Sequence, residues 1–142
     1  MSHINVRSQL KQYAQVGAQS GVAAADPHRL VQMLMAGGLD KIASAKGQME
    51  RGEIVEKGAN ISWAISIVDS LQASLDRERG GDIAASLAGL YEYMTRRLLQ
   101  ANIENNTAIL DEVAGLLSQI KEAWDAIPEE AKQPRPAGRA AV

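Results

Sequence analysis

Between Leu87 and Asn106 the chain reads LAGLYEYMTRRLLQANIENN, with apolar residues recurring at steps of three and four. Ile83, Leu87, Leu90, Met94, Leu98 and Ala101 fall within one arc of a helical wheel, the pattern of a helix with one face in a core. Turning by the same angle per residue carries Tyr93, Arg96, Arg97 and Gln100 to a different side. An ordinary solvated face has no need of a tyrosine between arginines, so this side is a candidate contact surface.

The flanking segments repeat the helical period. Asp26-Pro27 is a start signal, because Asp accepts from the first free amides and Pro at the first helical position gives up no needed donor. From there Leu30, Val31, Leu34, Gly38, Ile42, Ala45 and Met49 share one side, and Arg51-Gly52 ends the pattern near Glu50. Gly37-Gly38 in mid-helix would each cost about 1 kcal/mol against Ala, which points to a close helix approach or a bend there.

A second helix, from about Glu53 to Asp76, places Ile54, Gly58, Ile61, Ile65, Val68 and Leu75 on one stripe widened by Ala64 and Leu71. Trp63 and Ile67 fall nearly opposite, so this helix is either surrounded on most sides or covered in part by a partner. Arg79-Gly80-Gly81 breaks the chain before Asp82 caps the third helix. After the Asn105-Asn106 turn, Ile109, Val113, Leu116, Leu117, Ile120 and Trp124 line a fourth helix that stops before Pro128.

No strand signal interrupts this series. Helices of this length joined by loops of a few residues pack as antiparallel neighbours, so the expected fold is all-α, an up-down-up-down four-helix bundle over residues 26–127. Residues 1–25, rich in Ser, Gln, Gly and Ala with a weak repeat through Leu10, Tyr13 and Val16, form an expected mobile N-terminal arm. Residues 128–142, with three prolines and no apolar period, form an expected disordered tail.

Composition narrows the chemistry. At 142 residues the chain is one domain able to bury roughly two-thirds of its unfolded surface. With 4% aromatics and no Phe, its core must be aliphatic, Ala and Met. The net charge of -2 and the lack of a dense basic cluster argue against a nucleic-acid surface. There is no apolar run of about 20 residues and no basic-then-apolar leader, so a membrane role is not expected and a soluble cytoplasmic protein is. Absence of Cys removes thiolate chemistry and fits a reducing compartment.

His3 and His28 lie far apart, without the carboxylate spacing of a di-metal bundle. Neither an activated nucleophile nor a phosphate-cradling glycine loop is present, so no enzyme, metal or cofactor is expected.

Two structural alternatives stand beside the contact reading. Tyr93 can lie along the edge of the core while Arg96 and Arg97 spread over neighbouring helices and pair with acids. Trp63 can pack against the arm or tail. Self-association through Trp63 and Ile67 would instead give a weak dimer.

The run Leu90-Tyr91-Glu92-Tyr93-Met94-Thr95-Arg96-Arg97-Leu98-Leu99-Gln100-Ala101-Asn102 resembles the flagellar secretion chaperone FliS family. So do Asp26-Pro27-His28-Arg29-Leu30, Met33 to Gly38, Gly52-Glu53-Ile54, Leu75-Asp76 through Ala84, Tyr13 to Val16 and Ile120 to Trp124. Ala36 departs from the family's usual Asp. The resemblance covers roughly residues 10–126.

It implies a cytoplasmic, non-enzymatic chaperone that binds the C-terminal segment of flagellin, prevents early polymerisation and presents it to the flagellar type III export apparatus. It also implies an N-terminal arm able to lie over the partner groove. An anti-sigma factor or another flagellar regulator is a further candidate partner, and a monomer is the expected state. The resulting contact set is Tyr13, Trp63, Ile67, Tyr93, Arg96, Arg97, Gln100 and Asn102, with Trp63 and Ile67 supplying apolar contact.

Overall fold

The computed structural model describes residues 26–127, which form four helices: α1 (Pro27–Glu50), α2 (Ile54–Ala73), α3 (Arg77–Glu104) and α4 (Thr107–Asp125). α1 packs on α2 and α4, and α3 packs on the same two, so the helices go round the core in chain order. Cross-links at matching ends set the directions. Gln32 near the start of α1 donates to Asp125 at the end of α4 at 2.7 Å, and Lys46 near the end of α1 meets Asp111 near the start of α4 at 3.0 Å. The result is an antiparallel, all-α, up-down-up-down bundle.

Helix ends follow local chemistry. Asp26 Oδ1 accepts from the amides of His28 and Arg29, and Pro27 occupies the first helical position. α1 stops in a Schellman arrangement. Gly52 takes φ 73°, the amide of Glu53 returns to Gln48 O at 2.9 Å and that of Gly52 to Met49 O at 3.2 Å. At the same end of the bundle Asn105 adopts the left-handed conformation and closes α3, and Asn106 Oδ1 caps α4 through Ala108 and Ile109.

Lys57 ties α2 to this turn. It is 4% exposed, and its Nζ donates to Asn102 O at 2.9 Å and Asn105 Oδ1 at 2.7 Å. An ammonium on a helix's last carbonyls is favoured by the helix dipole as well as by the hydrogen bonds. At the opposite end of the bundle the His28 ring stacks on Trp124, with centroids 4.8 Å apart, and Trp124 Nε1 donates to His28 O at 3.0 Å.

The core is built from Leu34, Met35, Ile42, Ile61, Ile67, Val68, Leu71, Met94, Leu98, Leu110, Val113 and Leu117, all essentially buried. Gly38 explains one of the mid-helix glycines: a Cβ there would lie 3.1 Å from Leu117 and 3.4 Å from Ile67. α1, α2 and α4 meet at that point because no side chain separates them.

Three expectations require correction. Ile67 does not lie opposite the core of α2: it is fully buried against Gly38, so the flank assigned to a partner is the one that α1 covers. Trp63, on that same flank, is half-buried with the Lys41 ammonium 4.4 Å above its ring. A wheel registers the width of an apolar arc but not which neighbour occupies it.

The α2–α3 junction also differs. α2 ends at Ala73, and Asp76 rather than Asp82 caps the next helix, accepting from Arg79 N at 3.1 Å. The break expected at Arg79-Gly80-Gly81 is present: Gly81 takes φ 53° and ψ -128°, which is not helical, so α3 is a short first piece capped by Asp76 and a long second piece joined at a kink. Beyond the kink, Ala84, Ala88 and Tyr91 face inward, leaving Leu87 half-buried, Ile83 68% exposed and Leu90 at the surface. Small alanines admit a close approach, and this first half of α3 is turned by about one residue from the orientation its largest side chains suggest, while Met94, Leu98 and Ala101 further on are buried as expected.

Two glycine substitutions separate packing from propensity. Gly38→Val is expected to destabilise the bundle by about 1 to 3 kcal/mol through overpacking. Gly115→Ala, in a helix position whose Cβ would meet nothing within 4 Å, is expected to stabilise it by about 0.5 to 1 kcal/mol. Urea denaturation midpoints check both, and equal effects would contradict the close approach at Gly38.

Candidate partner-binding site

Met94, Leu98 and Ala101 hold the inner side of α3 in the core, each at 0% exposure, so the residues between them project along the flanks and outward. Tyr93 and Arg97 stand one turn apart on the flank that meets α4, and Glu112 of α4 answers both. Tyr93 Oη donates to Glu112 Oε2, and Arg97 Nε donates to Glu112 Oε1 at 2.8 Å. The chain of contacts continues along α3. Arg97 Nη1 donates to Gln100 Oε1 at 2.7 Å, and Gln100 Nε2 to Glu104 Oε2 at 2.8 Å.

This network sets the charge states. The Tyr93 hydroxyl and then the Arg97 guanidinium hold the Glu112 carboxyl below its usual range. The same Glu112 bond raises Tyr93, since ionising its hydroxyl would remove the donor and set a phenolate beside a carboxylate. Burial pushes the inward Tyr91 hydroxyl up to about 12, so it too stays neutral.

Arg96 is different. It is exposed on the outermost line of α3 and makes no hydrogen bond or ion pair among the described residues. Asn102 is half-buried on the opposite flank of α3, and its backbone carbonyl is a group that Lys57 of α2 holds.

The structure therefore brings together Tyr93, Arg96, Arg97 and Gln100, and leaves Asn102, two residues past Gln100, on the other flank of α3 toward α2. It does not bring in Trp63, which faces α1, or Ile67, which is in the core. Tyr13 lies outside the described residues. Sequence reasoning missed Glu112, because an acid on the flank of an amphipathic helix looks like any solvated residue until the register between α3 and α4 is known. Exposure of Leu99 and Ile103 was readable in principle, since both lie off the core arc of α3.

Among the described residues, no group of three or more acidic or histidine side chains is placed to hold a metal, and no helix is long and apolar enough to cross a membrane. The chemistry available on this surface is hydrogen bonding, charge and apolar contact.

Comparison with known proteins places these features in a family. Residues 9–131 match the family described as flagellar protein FliS. The chain belongs to the FliS family. Among FliS relatives, the flagellar secretion chaperone FliSB of Pseudomonas aeruginosa is 52% identical over 118 residues, covering 83% of this chain and 94% of that protein. The flagellar secretion chaperone FliS of Salmonella typhimurium is 48% identical over 125 residues, covering 87% and 93% respectively. The Bacillus subtilis FliS chaperone is 37% identical over 115 residues, covering 80% and 85%. The FliS match spans all four helices, including the whole α3 row and its Glu112 partner.

The Glu112 clasp has a pH signature. Its folded carboxyl titrates below its unfolded value, so its contribution is present above the ordinary carboxylate range and is lost as pH falls through the lowered value. The difference in thermal midpoint between the unchanged protein and Glu112→Gln is expected to shrink from pH 6 to pH 3. A constant difference would mean that the carboxylate charge does not matter to the clasp.

Proposed function

We propose that this FliS-family chain is a cytoplasmic, non-enzymatic export chaperone that binds the C-terminal segment of flagellin as a monomer. It keeps that segment from polymerising early and assists its delivery to the flagellar type III export apparatus. The observation that carries the reading is the division of labour on α3: Tyr93, Arg97 and Gln100 are tied into a satisfied network, while Arg96 between them has no partner among the described residues.

Ordering a disordered client costs several kcal/mol, so its chaperone gains from a surface that does not itself need ordering. The clasp to α4 supplies that rigidity. Arg96 then offers an exposed, unengaged charge on a helix that the clasp holds in place, and Asn102 offers a polar group on the flank toward α2.

Isothermal titration against a peptide of the C-terminal helical region of the same organism's flagellin, beside a scrambled peptide of equal composition, tests this. One-to-one binding with a negative heat-capacity change, weakened several-fold by Arg96→Ala, is expected. Equal binding of both peptides, or none by either, would remove flagellin as the client. If Tyr93→Ala and Arg96→Ala both leave affinity unchanged in a folded protein, the α3 row is not the contact surface.

A further inference from the structure

Four large apolar side chains stand in water where α2 begins and α3 ends. Val55 is 82% exposed and Ile54 56%, while Ile103 is 81% exposed and Leu99 49%. The Lys57 contacts to Asn102 and Asn105 place the first turn of α2 beside the last turns of α3, so these side chains share one end of the bundle. Gly58, one turn into α2, adds no side chain to fill the space, since a Cβ there would have nothing within 4 Å.

Scattered exposed aliphatics are normal, but a gathering at two adjoining helix ends is not. Elsewhere the same chain buries Ala45, Ala64, Ala84, Ala88 and Ala101. It fills part of its core with methyl groups while leaving isoleucine and valine outside.

Charge identifies the occupant. Leu99 and Ile103 follow Arg96 at three and seven residues, which puts all three along one outward line of α3. The other cations around this end are engaged: Lys57 with Asn102 and Asn105, Arg51 with Glu53, Arg97 with Glu112, and Lys46 with Asp111. Among the described residues at this end, Arg96 is the cation left to face whatever covers the patch.

We infer that this end of α2 and α3 receives a client segment whose apolar side chains cover Ile54, Val55, Leu99 and Ile103, and whose Asp or Glu about one helical turn away pairs with Arg96. The inference rests on the chaperone reading above and adds the chemistry of the client and the side of the bundle it uses. Burying an aliphatic side chain that now stands in water contributes enough to change affinity by about tenfold or more.

The test uses the full chain and two probes, the flagellin C-terminal peptide and the same peptide with every Asp and Glu replaced by Asn and Gln. Val55→Glu and Ile103→Glu change exposed positions, so unaltered circular-dichroism melting is expected of both. Each should raise Kd for the acidic peptide by about tenfold or more. Arg96→Ala should weaken the acidic peptide but not the amide peptide, the non-additivity that marks a direct pair.

Unchanged binding by both Glu variants, or independent effects of Arg96→Ala and the amide replacement, would overturn this inference and leave the chaperone reading standing. Failure of the unchanged protein to bind the acidic peptide would overturn both. Sedimentation separates the remaining occupant: a dimer of the free protein abolished by Val55→Glu would assign the patch to a second copy and overturn a client there.

Discussion

A lysine ammonium closed into one end of the bundle is the contact on which the candidate surface depends. Lys57 can be buried there because it finds a helix-end carbonyl and the side-chain oxygen of a left-handed asparagine. Those bonds fix the turn from which α4 departs. α4 in turn carries Glu112 back to the level of Tyr93 and Arg97. The polar row on α3 is thus oriented from inside the fold, by a side chain of the preceding helix.

The α3 surface therefore holds two kinds of residue at similar depth. Tyr93 and Arg97 are engaged with Glu112 and Gln100 with its neighbours along α3, so changing Tyr93 or Arg97 disturbs the seam between α3 and α4 as well as any contact made outside. Arg96 has no such internal duty. A tyrosine between arginines was a sound sign that α3 does more than shed water, although part of the reason lies in the seam.

Local chemistry was the most readable part of the sequence. Asp26-Pro27, Arg51-Gly52 and Asn105-Asn106 mark helix ends through hydrogen bonds and backbone conformations that involve only nearby residues. Orientation was less readable. Ile67 and Ile83 exchange the places a wheel assigns them, one going inside and the other out, because the width of an apolar arc does not say where neighbouring helices lie. Gly38 and Ala84 decide those approaches by being small, and small residues add little to an apolar stripe. Glu112 was illegible for a related reason: its importance exists only in the register between two helices.

The placement of the indoles has an optical consequence. Trp63 and Trp124 are the two tryptophans of the chain, one beneath Lys41 of α1 and the other stacked on His28 of α1. Intrinsic ultraviolet emission is therefore tuned by the first helix, from two points along it, while the outward row of α3 contains no fluorophore of that class. Light collected from the protein reports whether α1 stays seated against the two indoles, and the outward row of α3 adds no indole signal of its own.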